Sequence, residues 1–158
     1  MTEGGRTSPM PDGYGGAVLL DNSAWARVGL GRLQPQDRER WEAAVRGDEI
    51  VVSAPFALEA LYSARDAHDF RELAEELSGF KQVGANDRTW RLAAEAQAAL
   101  AADPAVSRRV KPIDLLLAAV ADQNAVGVLH YDHDYDTIRE HSPLAFRSIW
   151  IAERGSIT

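Results

Sequence analysis

Apolar residues fall along this chain in two patterns: short unbroken runs, and longer stretches with helical spacing. The runs at 17–20 (AVLL), 50–53 (IVVS) and 126–131 (VGVLHY) are brief, mostly β-branched or leucine, and bounded by turn-forming or charged positions, so they predict buried strands. A short edge strand is expected at 80–83 and a last strand within FRSIWIA at 146–152. Between them lie helical stretches. The first follows residue 21 and is short, with Trp25, Val28 and Leu33 set among arginines and glycines and Ser23 as its expected N-cap. Pro35 opens a helix to about Arg46, with Trp41 and Val45 four apart on one face. Pro55 opens PFALEALYSAR. An amphipathic helix is expected at 68–77, an alanine-rich one at 86–102, an apolar one from Pro112 through IDLLLAAVADQNA, and a short one at 135–141. Strands separated by helical segments imply βαβ units and a mostly parallel sheet of four to five strands, covered on both faces in a three-layer α/β/α arrangement.

Composition narrows this picture. The 158 residues suffice for one domain with a substantial core, and 46% hydrophobic with 26% charged residues is ordinary for a globular protein. The absence of cysteine removes disulfides, thiolate zinc sites and thiol nucleophiles and is compatible with a reducing cytoplasm. No apolar run approaches the about 18 residues that would span a bilayer, so no membrane association is expected. Residues 1–16 carry five Gly and two Pro with no apolar segment and are expected to form a mobile leader to a single domain at 17–158. The net charge of −7 argues against general affinity for nucleic acid, but metal ions can supply positive charge locally.

Four acids share one description. Asp21 and Asp132 end strands on the carboxyl side, and Glu59 and Asp114 lie on apolar helices placed to pack beside them. Each has an ordinary explanation taken alone: Asp21 can cap a strand end, Glu59 can pair with Arg65, and Asp114 suits the positive end of a helix dipole. Together they describe a pocket lined with carboxylates. Two carboxylates about 4 Å apart repel by roughly 4 kcal/mol at an effective dielectric of 20, so something must compensate them. A hard oxygen donor set selects Mg2+ or Mn2+, and such ions activate water for in-line attack on a phosphodiester.

Other chemistries fit the same residues poorly. Asp132, Asp134 and Asp136 start an EF-hand-like D-x-D-x-D, but Thr137 stands where the loop needs Gly and Pro143 where it needs the bidentate Glu. His130 and His133 lack the spacing of a zinc site on a helix, and they are expected to flank the acid pocket or face solvent. A haloacid-dehalogenase-like phosphatase would carry a second Asp where Ser23 stands. A response-regulator receiver shares Lys111-Pro112 but has an acceptor Asp after its middle strand, where this chain has Ser53, Ala54 and Pro55. No Gly-rich phosphate loop is present.

The segments LLDNSAW, PFALEALYSAR, KPIDLLLAAVA and VLHYDHDYDTI, in this order and spacing, resemble the four acidic motifs of PIN-domain ribonucleases. The version here is similar to the VapC toxins of bacterial toxin–antitoxin pairs, including the closing W-x-x-x-R-G stretch at Trp150, Arg154 and Gly155. The resemblance runs from Val18 to the C-terminus. It implies a PIN-like fold in which Asp21, Glu59, Asp114 and Asp132 form the catalytic metal site, with Ser23 adding a hydroxyl to the pocket. It also implies an additional acid, Asp134, although the DHDYD tract leaves Asp136 as an alternative. The implied reaction is Mg2+- or Mn2+-dependent hydrolysis of single-stranded or loop RNA, leaving 5′-phosphate and 3′-hydroxyl ends, in the cytoplasm. The implied partners are RNA, a VapB-type antitoxin, and a second copy in a homodimer or toxin–antitoxin hetero-oligomer.

Arg27, Arg108, Arg109 and Lys111 are candidates for holding RNA phosphates, because an acidic protein needs local positive charge for that task. The apolar residues of the helices at 35–46 and 54–77 are candidates for an antitoxin groove or a dimer contact, and the pattern leaves Trp41, Tyr62 and Phe70 undivided between core and interface. Two other readings keep the fold: a PIN-like protein that binds without turnover, and a nuclease acting on structured DNA.

Overall fold

The structure, a computed structural model, describes residues 12–157, so residues 1–11 of the leader expected at 1–16 lie outside the described residues. Among those described, five strands and seven helices alternate: β1 (Val18–Leu20), α1 (Asn22–Gly29), α2 (Pro35–Arg46), β2 (Ile50–Val52), α3 (Ala54–Leu61), α4 (Ala67–Ser78), β3 (Lys81–Gln82), α5 (Asp87–Ala102), α6 (Pro112–Gln123), β4 (Gly127–His130), α7 (Asp134–His141) and β5 (Ser148–Trp150). The strands form one sheet in the order β3-β2-β1-β4-β5. Every pairing is parallel, with Val18 opposite both Ile50 and Gly127. This is the expected α/β architecture at its upper strand count.

The strands are nearly unbroken apolar runs because both faces are covered. Val18, Leu19, Leu20, Val128 and Leu129 are wholly buried, and helix α6 adds Leu117, Ala118, Ala119, Val120 and Ala121 to the same core. Strand order decides where a ligand can sit. From β1 the chain steps through β2 to β3 in one direction, then returns past β1 to β4 and β5. Right-handed crossovers then put the connecting helices on opposite faces for the two halves, and the connections leaving β1 and β4 diverge. A crevice opens at their carboxyl ends, the switch point at which open α/β sheets bind ligands. Asp21 and Asp132 stand there.

The amino edge of the sheet is closed differently. Residues 12–16, the end of the stretch expected to be a leader, pack against the domain. Tyr14 is buried, and the Glu49 carboxylate accepts hydrogen bonds from the backbone N–H of Tyr14 (3.1 Å) and Gly16 (2.9 Å). Arg147 donates to the Tyr14 carbonyl at 2.6 Å, and the Arg40 guanidinium lies 4.6 Å from the centroid of the Tyr14 ring.

Two local expectations change. Asp21, not Ser23, is the N-cap of α1: its carboxylate accepts the Ser23 N–H at 2.9 Å. Both residue types cap well, and the helix starts two residues earlier because Asp21 is the last extended residue. Trp41 is in the core, packed with Trp25 and Phe80 at centroid separations of 6.4 Å each, whereas Val45 is half exposed. Tyr62 and Phe70 are exposed.

Candidate metal centre

Each acid at the crevice is placed by the element that carries it. Asp21 is pinned at both oxygens: Oδ2 accepts from the Ser23 N–H and hydroxyl, and Oδ1 accepts from the Tyr135 hydroxyl at 2.7 Å. Ser23 Oγ in turn accepts the Tyr131 N–H at 2.8 Å, which ties the start of α1 to the end of β4. Pro112 opens α6 without needing a donor, and Asp114 follows in the first turn, buried, with Oδ2 lacking any hydrogen-bond partner. Asp132 leaves β4 with its N–H donated to His130 Nδ1 (3.1 Å), and its carboxylate accepts the Asp134 N–H at 3.0 Å. That turn starts α7 and aims Asp134 inward, where it is buried.

One carboxylate oxygen from each of Asp114, Asp132 and Asp134 lies within 4.8 Å of the others. Asp21 adjoins this trio through Tyr135, whose hydroxyl is also 3.3 Å from Asp114 Oδ1. Burial, together with the charges of Asp21 and Asp132, raises the Asp114 carboxyl to about 7. Burial and Asp132 push Asp134 upward too, against the pull of Arg108 and Lys111. Glu59 is raised by burial and by Asp21, and its Oε2 is buried without a partner. These are the signs of a site that holds more negative charge than the protein itself neutralises. An all-carboxylate donor set with bare buried oxygens fits a divalent oxygen-loving cation.

Glu59 departs from expectation in its surroundings. Helix α3 is not largely buried: Phe56 and Ala60 face the core, while Leu58 is 74% and the following Tyr62 91% exposed. They face an open apolar cleft of about 790 Å³ between α3, α5 and α6 that also takes in Trp90, Ile113 and Leu116, and Glu59 stands on its lip. The ion pair with Arg65 is absent because Arg65 pairs with Asp69 at 3.5 Å.

Asp136 is turned away from the trio. It accepts from Ser148 Oγ at 2.6 Å and Trp150 Nε1 at 2.9 Å. Burial alone would raise its carboxyl, but these hydrogen bonds and the nearby His130 hold it below the usual range. His130, expected at the pocket margin or in solvent, is wholly buried, with Nε2 2.7 Å from Ser148 Oγ. Since Nδ1 accepts the Asp132 N–H, Nε2 carries the proton, and burial lowers the ring to about 4, so it is neutral. Periodicity did not reveal this chain of hydrogen bonds, nor Tyr135, because both link residues far apart in sequence.

Of the basic candidates, Lys111 acts electrostatically on Glu59, Asp114 and Asp134, and Arg108 acts on Asp134. Arg27 lies over the Tyr131 ring, 4.7 Å from its centroid, and donates to the Ser23 carbonyl. Arg109 is exposed on the same loop. Arg154, from the closing motif, reaches His133 Nδ1 at 3.2 Å, so His133 does face outward beside the acids.

Comparison with known proteins agrees with this geometry. The PIN domain family model matches residues 18–140. Ribonuclease VapC18 of Mycobacterium tuberculosis is 34% identical over 139 residues, covering 87% of this chain and 97% of that protein. Ribonuclease VapC21 of the same species is 36% identical over 121 residues, covering 76% of this chain and 84% of that protein. The crystal structure of DNA-bound VapBC from Salmonella typhimurium shares the fold, with a TM-score of 0.65 at 16% identity across 87% of this chain and 99% of the matched one. With the family model spanning four of the five strands and all the clustered acids, and with relatives of 34% and 36% identity named as VapC ribonucleases, the chain belongs to the PIN-domain family and, within it, to the VapC group.

Proposed function

We propose that the protein is a Mg2+- or Mn2+-dependent endoribonuclease, the toxin of a toxin–antitoxin pair, that hydrolyses phosphodiester bonds of single-stranded or loop RNA in the cytoplasm. The observation that carries this reading is the trio Asp114, Asp132 and Asp134, whose ligand oxygens gather within 4.8 Å at the switch point. Asp114, Asp132 and Asp134 would hold the metal, with Asp21 beside them and Glu59 at the rim. The metal, when bound, supplies an activated water and charge stabilisation for the leaving oxygen. Glu59, whose Oε2 is buried without a partner, would accept a proton from the attacking water. Lys111 and Arg108 flank the acids and would position the phosphates, with Arg109 on the same loop and Arg27 on the α1 side. The relatives' ribonuclease names support RNA over DNA as substrate, and the full set of acids supports turnover over mere binding.

The partner would be a VapB-type antitoxin, in keeping with the VapBC complexes that share the fold. The cleft beside Glu59, with Leu58, Tyr62 and Trp90 exposed at 52% or more, offers an apolar seat for a partner segment next to the acids. Among the described residues no helix is long and apolar enough to cross a membrane.

Protein purified free of antitoxin is expected to cut single-stranded RNA with Mg2+ or Mn2+, to stop in EDTA, and to resume when Mn2+ is returned. Gel analysis of end-labelled RNA checks this. Cleavage that survives EDTA, or none with any divalent ion, overturns the reading. Metal binding should also appear without RNA. Mg2+ at about 100 times its Kd stabilises by about 2.7 kcal/mol, which raises Tm by roughly 5 to 10 °C in a chain of this size. A melting curve indifferent to millimolar Mg2+ would count against the metal centre.

A further inference from the structure

The buried Tyr135 lies within the segment VLHYDHDYDTI but is given no role there or in the proposed reaction. We infer that its hydroxyl is the positioning residue of the metal centre, tying Asp21 to Asp114 and thereby selecting which Asp114 oxygen faces the metal; this rests on the reading of the acid cluster as a metal site. The phenol lies between two carboxylates from different halves of the fold: its single proton is donated to Asp21 Oδ1 at 2.7 Å and shared with Asp114 Oδ1, the weaker acceptor, at 3.3 Å. It cannot swing away. The ring is wholly buried on α7 and packs on His130 with centroids 4.9 Å apart, and His130 is itself held by Asp132 N–H and Ser148.

The bridge has a directional consequence. Asp21 already receives the Ser23 N–H and hydroxyl at Oδ2, so the phenol supplies the donor at its other oxygen and fixes its rotamer. Asp114 is engaged only at Oδ1, which leaves Oδ2 buried and without a hydrogen-bond partner. A phenylalanine would fill the same space and pack on the same histidine, but Asp114 would be free to rotate and the two repelling carboxylates would have no common donor. Partners that orient metal ligands in this way are typically worth about 10- to 100-fold in metal affinity.

The test compares full-length wild type, Tyr135→Phe and Asp114→Asn, each stripped of metal and titrated with Mn2+ by calorimetry and by the electron paramagnetic resonance of free Mn2+. Tyr135→Phe is expected to keep the wild-type circular dichroism and to raise the Mn2+ Kd at least about 10-fold. Its RNA cleavage should fall at low Mn2+ and recover at saturating Mn2+, while Asp114→Asn should not recover. A positional role in packing alone would leave Kd unchanged, and that result overturns the inference. So does a variant with wild-type Kd that remains inactive at saturating Mn2+. In wild type labelled with 13C-tyrosine, the Tyr135 Cζ resonance should move as Mg2+ saturates, and a resonance that ignores Mg2+ overturns the coupling even if the variant does not fold. Wild type that binds no Mn2+ removes the metal-centre reading and this inference together, whereas wild type and Tyr135→Phe binding equally removes only the inference.

Discussion

Asp114→Asn is expected to abolish RNA cleavage, by at least about 100-fold, and at the same time to make the metal-free protein more stable above neutral pH. The two effects share one cause. In the folded, metal-free protein the Asp114 carboxyl is raised from 3.8 to about 7, first by burial and then by Asp21 and Asp132. The folded state therefore binds more protons than the unfolded chain between those values. Stability from this group is fully present below about pH 4 and is lost as pH rises through 7. A shift of that size corresponds to at most about 4 kcal/mol, and even a quarter of it moves Tm by about 2 to 4 °C. Asparagine has the same shape without the charge. Thermal melts in EDTA from pH 5 to pH 8.5 should show the variant gaining on wild type as pH rises, beside a cleavage assay that shows no product. A variant that loses stability at pH 8, or keeps its activity, would remove Asp114 from the centre of the site.

Asp136→Ala and Asp134→Asn should have opposite consequences although the residues are two apart. Asp136 accepts from Ser148 and Trp150, and through Ser148 it supports the buried His130. Removing it strands two half-buried donors at a cost of about 2 kcal/mol, or roughly 4 to 8 °C in Tm. Asp134, buried against Asp132, is pushed upward by burial and by that neighbour, so its neutral replacement should melt at or above wild type in EDTA while losing Mn2+ affinity. Melting by circular dichroism together with Mn2+ titration separates them. If Asp134→Asn were the strongly destabilised variant, the division between metal ligand and structural acid would be reversed.

The same pair shows where sequence reading stops. The strands were legible because the runs at 18–20 and 127–130 are buried throughout and are followed within two residues by an acid, so a parallel sheet with Asp21 and Asp132 at one edge follows from local pattern alone. The choice between Asp134 and Asp136 does not. Within a helix two residues are about 200° apart, so one of them must face the crevice and the other must face β5, and which is which depends on the residue at which α7 begins. Asp132 sets that start by accepting the Asp134 N–H. Helix α3 reads as apolar all round, and that pattern cannot tell a core face from the wall of an open cleft, so the exposure of Leu58 and Tyr62 emerges only with the fold. Tyr135 meets Asp21 across 114 residues, a distance over which no local pattern carries information.

The two edges of the sheet make the ends of the chain unequal for anyone wishing to tether this protein. Residues 13–16 are clasped by Glu49, Arg40 and Arg147 at the edge opposite the acids, so a linker entering there leaves the crevice turned outward. Ile157, by contrast, shares hydrogen bonds in both directions with the Tyr131 hydroxyl, and Tyr131 carries Arg27 on its face and reaches Ser23. A tag joined at that end begins beside Tyr131, the residue before Asp132. Attachment to a bead or sensor surface is therefore best made through the amino-terminal side, with the carboxyl-terminal end left bare.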